Sequence, residues 1–84
     1  MIKEEIWNIS LQRVRAFFRA QADVTEENTN SFVFRSCRIT LTELEPAGTG
    51  IWAAKRFQLR MEGEDADVKS IYHRYFFQFL STGG

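Results

Sequence analysis

One cysteine, Cys37, and one histidine, His73, are the chain's whole stock of thiol and imidazole. A metal site built from several soft or imidazole ligands therefore cannot be assembled within one chain. The two could in principle form a nucleophile and its base. However, Cys37 shares its alternation with Ile39 and Leu41, which directs it into the core as a small inert hydrophobe. The carboxylates fall in loops and at element ends, with no partner suited to acid-base work, and no glycine-rich strand-to-helix phosphate loop is present. The expectation is a protein that is not an enzyme and needs no cofactor.

The residues with recognition chemistry are arginines beside flat rings. Arg38, Trp52, Arg56, Arg60 and Arg74 form the candidate contact set. Guanidinium next to an aromatic face can hold phosphate and stack a base, and it can equally grip an acidic protein partner. The same residues also suit the ordinary wet face of an antiparallel sheet. Trp52 lies on the polar alternation near a turn, where an exposed ring would anchor a partner. Trp7 lies on an apolar stripe and is expected in the core.

Two alternating segments position this set. In Phe32 to Glu45, Cys37, Ile39 and Leu41 share one parity and Arg38, Thr40 and Thr42 the other. In Ile51 to Glu62, Phe57, Leu59 and Met61 oppose Arg56, Gln58 and Arg60. Such period-two patterns predict a long β-hairpin with an apolar and a polar face. The parity of Phe32 and Phe34 is out of step with Cys37, which predicts a β-bulge near Arg35 and Ser36. Pro46 to Gly50 reads as the hairpin loop, and the favoured register opposes Ile39 to Phe57 and Cys37 to Leu59.

Trp7, Leu11, Val14, Phe17, Phe18 and Ala22 share a helical stripe, so an amphipathic helix is expected over Trp7 to Ala22, capped by Asn8 or Ser10 or beginning near Lys3, with room for a short extended start instead. Gln21 to Asn30 reads as a polar surface loop. Val68 to Leu80 fits two states. As a third strand it would add Tyr72, Arg74, Phe76 and Gln78 to the wet face. As a helix it would put Val68, Ile71, Tyr72, Tyr75, Phe76 and Phe79 on one side, with Asp65 or Asp67 as cap and Gly83 as terminator. A two-stranded ribbon is marginal alone, which favours the strand. The expected fold is a single α+β domain over residues 1–84, an N-terminal helix on an antiparallel meander, with αββα as the alternative.

The 84 residues carry 11 basic and 11 acidic side chains, so there is no net field to steer the protein toward nucleic acid or an anionic surface. A positive sheet face would have to come from local segregation. A lone cysteine and the absence of a long apolar run point to a cytoplasmic protein outside the membrane. The leading expectation is a small module that binds a protein partner or a second copy of itself; nucleic acid is the alternative on the same face.

The chain ends Ser81-Thr82-Gly83-Gly84, with Phe76 and Phe77 upstream and Met1-Ile2-Lys3 at the start. These ends resemble the ubiquitin-like sulfur carriers, whose slim Gly-Gly tail enters an adenylating enzyme and is activated at its carboxylate. The resemblance is confined to the ends and implies a carrier-type protein. It would also require an opening hairpin followed by a central helix.

Overall fold

A computed structural model describes residues 1–47 and 54–80. Seven elements follow one another: β1 (Ile2–Trp7), α1 (Leu11–Ala20), β2 (Thr25–Asn28), β3 (Ser31–Phe34), β4 (Cys37–Ala47), β5 (Ala54–Glu62) and α2 (Asp65–Leu80). The five strands form one antiparallel sheet in the order β1-β5-β4-β3-β2. Both helices pack on the same face, so the chain is α+β with one covered and one open sheet face.

The covered face follows the predicted parity. Cys37, Ile39 and Leu41 of β4 and Phe57, Leu59 and Met61 of β5 are all buried, as are Phe32 and Phe34 of β3. Val14 and Phe18 of α1 and Val68, Ile71, Tyr75 and Phe79 of α2 close the core over them. The observed register opposes Leu41 to Leu59 and Ile39 to Met61, not Ile39 to Phe57. The shift preserves parity, because moving the pairing by an even step keeps the same side chains inside.

The change of phase at Arg35 and Ser36 comes from a tight hairpin and not from a bulge in one long strand. Phe34 opposes Cys37 and Phe32 opposes Ile39. An even-numbered and an odd-numbered residue face each other across a two-residue loop, so both can point inward. Arg35 has φ 53°, the positive φ that the first loop position of such a turn requires. At the far end, Pro46 and Ala47 belong to β4, with a register irregularity between Leu44 and Ala47 of the kind that tolerates proline. The rest of the predicted loop, Gly48 to Gly50, lies outside the described residues, as do Ile51 and Trp52 of the predicted second strand.

Helix α1 starts at Leu11, later than the stripe from Trp7 suggested, because Ser10 caps it: the Ser10 Oγ accepts from the Arg13 N–H at 3.4 Å. Trp7 instead ends β1 and still packs on the core, edge-on to the Tyr75 ring at 5.0 Å. The stretch expected to be a loop, Gln21 to Asn30, contains the short edge strand β2.

The main correction is at the C-terminus, where Val68 to Leu80 is helical within α2 and not a strand. The ribbon's need for a third strand is met from the other end of the chain. Ile2 to Trp7 pairs with Glu62 to Phe57 in unbroken register, and β3 flanks β4 on the opposite side. With the sheet complete, the segment takes the state that buries Val68, Ile71, Tyr75 and Phe79 together, at helical spacing. The chain therefore opens strand then helix, which is not the hairpin-then-helix order of the ubiquitin-like carriers.

Candidate interaction surface

The open face is built from the outward residues of five strands, and its rows can be read from the registers. One row runs Ile2, Glu62, Arg38, Val33 and Thr25; the next contains Glu4, Arg60, Thr40 and Ser31; a third contains Ile6, Gln58 and Thr42. Among the described residues no helix covers this face.

Arg38, Arg56 and Arg60 all lie on it, as their parity requires. Each has an acceptor within the chain. Arg60 donates to Glu4 at 3.3 Å and to Glu62 at 3.0 Å. Arg38 is paired with Glu27, whose carboxylate also accepts from the Ser31 hydroxyl at 3.4 Å. Arg56 Nε donates to the Glu45 carbonyl at 3.2 Å. Glu4 additionally accepts from the Gln58 amide at 2.8 Å. The expected positive face is thus balanced, because β1 and the β2 bulge bring Glu4 and Glu27 alongside the arginines and Glu62 opposes Arg38. Sequence reading missed this, since it left β1 and β2 out of the sheet.

Arg74 lies elsewhere. It projects from α2 on the covered side, clasps Asp23 with both terminal guanidinium nitrogens at 2.9 and 3.0 Å, and stacks 5.0 Å from the Phe34 ring centre. The hydrogen bonds from Arg74 hold the Asp23 carboxyl below its ordinary range. Arg74 therefore ties α2 to the α1–β2 connection and is separated from Arg38, Arg56 and Arg60 by the sheet. Trp52 lies outside the described residues.

Cys37 and His73 do not meet as a nucleophile and base. Cys37 is buried, and burial pushes its thiol above the ordinary value. His73 is exposed on α2 against the Phe77 ring at 4.6 Å. Among the described residues no group of three or more His, Cys, Asp or Glu side chains is placed to hold a metal ion. No described helix is long and apolar enough to cross a membrane.

Two polar clusters hold the surface strands in place. Glu5, on the inner side of β1, accepts from the Tyr72 hydroxyl at 2.7 Å and from Trp7 Nε1 at 3.0 Å, which pins the edge strand under α2. Burial, followed by the hydrogen bond to Glu5 and then its charge, pushes the Tyr72 phenol well above its ordinary value. At the other end Asp67 accepts from both the Ser36 hydroxyl, at 2.6 Å, and the Ser36 N–H, at 3.2 Å. These bonds hold the Asp67 carboxyl low and clamp the β3–β4 turn to the first turn of α2. Near the start of α1, an open groove is lined by Ser10, Arg15, Glu43 and Lys55, with charges of both signs.

The two sheet edges differ. Strand β2 is four residues long, has a register irregularity, and ties Glu26 to Arg19. Strand β1 is six residues long and regular, and it places exposed Ile2 and Ile6 on the open side. No protein-family model, curated protein or solved structure matches the chain.

Proposed function

We propose that this is a small non-catalytic interaction module that presents the open sheet face, around Arg38, Arg56 and Arg60, to a protein partner. Trp52 belongs to the set on sequence grounds alone. The observation that carries this reading is the compensated face itself. Its arginines already have carboxylate or carbonyl acceptors, and they are interleaved with Thr40, Thr42, Val33, Ile2 and Ile6. Nucleic acid is held mainly by uncompensated positive charge, which such a surface lacks. An open face of mixed sign with aliphatic side chains suits a protein surface of complementary pattern, with arginine as anchor.

The test compares proteins captured from the native host by the full chain with those captured by a double Arg38→Glu, Arg56→Glu variant and by Arg13→Glu on the exposed side of α1. Loss of a defined set of partners with the double variant, and retention with Arg13→Glu, supports the reading. An unchanged set, or equal loss in both, refutes it. Steeply salt-dependent binding to single-stranded oligonucleotides that disappears with the double variant would instead give the face to nucleic acid.

A further inference from the structure

We infer that the chain pairs with a second copy of itself along the free edge of β1, joining two sheets into one continuous ten-stranded sheet. This edge borders the open face and shares Ile2 and Ile6 with it, but the pairing does not depend on the partner proposed for that face.

The hydrogen-bond phase of β1 is fixed by its first pair. The Met1 nitrogen donates to the Gly63 carbonyl at 2.9 Å, and the Gly63 N–H donates back to the Met1 carbonyl at 3.1 Å. Hydrogen-bonded and non-bonded pairs alternate along an antiparallel ladder. With the register unbroken, Lys3, Glu5 and Trp7 therefore turn their main-chain groups toward β5, while Ile2, Glu4 and Ile6 turn theirs outward. Three N–H and three C=O groups are thus presented at an edge beside which no described strand lies.

A two-fold axis through Glu4 satisfies all of them. Ile2 then opposes the partner's Ile6, Glu4 opposes the partner's Glu4, and Ile6 opposes the partner's Ile2. Each of these three pairs exchanges two main-chain hydrogen bonds. The side chains agree with the same register. Ile2 and Ile6, 56% and 59% exposed, meet on the open face. On the inner face, Lys3 opposes the partner's Glu5 in the closer, non-bonded type of pair. Glu4 faces its own copy, but each Glu4 has Arg60 at 3.3 Å on its other side, so the row across the axis reads plus, minus, minus, plus.

Charges pointing inward on an edge strand normally guard it against pairing. Here they discriminate among possible partners. Lys3 and Glu5 are complementary only to a strand with the reverse order of charge, and β1 read from its two-fold mate has that order. The opposite edge, β2, is short, irregular and acidic, and offers no comparable template.

The test is the mass of the full chain in solution across the micromolar range, by light scattering and sedimentation. The expected mass is twice 9.8 kDa, falling on dilution. Ile6→Lys should return it to a single chain with the fold unchanged by circular dichroism. Lys3→Glu should raise the dissociation constant about tenfold, because symmetry uses the lost pair twice. As a readout of register, nitroxide labels at single cysteines replacing Ile2, Glu4 or Ile6 should couple most strongly at position 4, with buried Cys37 unlabelled. A monomer at every concentration, a dimer insensitive to Ile6→Lys, or strongest coupling away from position 4 overturns the inference. Captured partners would still report separately on the open face.

Discussion

Removing the hydroxyl of Tyr75 is expected to stabilise the protein. Tyr75 is fully buried, and its hydroxyl oxygen has no hydrogen-bond partner among the described residues. Its ring lies parallel to Phe18 at 5.8 Å, edge-on to Trp7 at 5.0 Å and beside Phe79 at 5.1 Å. Phenylalanine keeps all these ring contacts. A buried polar group without a partner costs about 1–3 kcal/mol in lost hydration. Against that, deleting one heavy atom leaves a void whose cost is a few tenths of a kcal/mol, at about 24 cal/mol per Å³. The balance favours Tyr75→Phe by about 1–2 kcal/mol. For a chain of this size that is a rise of roughly 4–15 °C in Tm, or about 1–2 M in the urea midpoint at an m-value near 1 kcal/mol/M. Urea titration followed by tryptophan fluorescence measures it, with the m-value unchanged. A fall in the midpoint would refute the reasoning, because it would mean that the hydroxyl is satisfied in the folded chain.

Three further outcomes follow from the same packing. A Cβ on Gly63 would lie 2.6 Å from the Ser36 carbonyl oxygen and 2.8 Å from the Cys37 Cα, both main-chain atoms, so Gly63→Ala should lower the urea midpoint by the equivalent of about 1–3 kcal/mol. Because the folded-state pKa values of Asp23 and Asp67 lie below the ordinary 3.8, the stability these groups contribute is present above pH 3.8 and lost as pH falls through their folded values. Asp67→Asn should flatten that acid limb of the pH–stability curve, and an unchanged slope would count against the Ser36 clamp. The Tyr72 phenol is shifted the other way, so its contribution is complete below its ordinary value of 10.0 and lost at higher pH. Tyr72→Phe should make the alkaline limb shallower in equilibrium unfolding between pH 9 and 12.

Much of this architecture could be read in the chain because the relevant information was local. The alternation of Cys37, Ile39 and Leu41 against Arg38, Thr40 and Thr42 decided which side of β4 is buried, and Phe57, Leu59 and Met61 did the same for β5. A side chain's face on a strand depends only on its own position in the pleat, so parity survived an error in register. The stripe of α1 was equally local. What only the tertiary structure decided was pairing between distant segments. Ile2 to Trp7 alternates weakly, with three consecutive charges, and becomes a strand because β5 has a free edge to receive it. Once that edge is filled, residues 68–80 are released from the sheet to form α2, which carries Arg74 to the opposite side of the sheet from Arg38 and Arg60. The compensation of the open face has the same origin. Glu4 reaches Arg60 across 56 residues of chain, and Glu27 reaches Arg38 only through the β2–β3 fold-back. Composition fixed the net charge at zero, while the order of the strands determined which charges became neighbours.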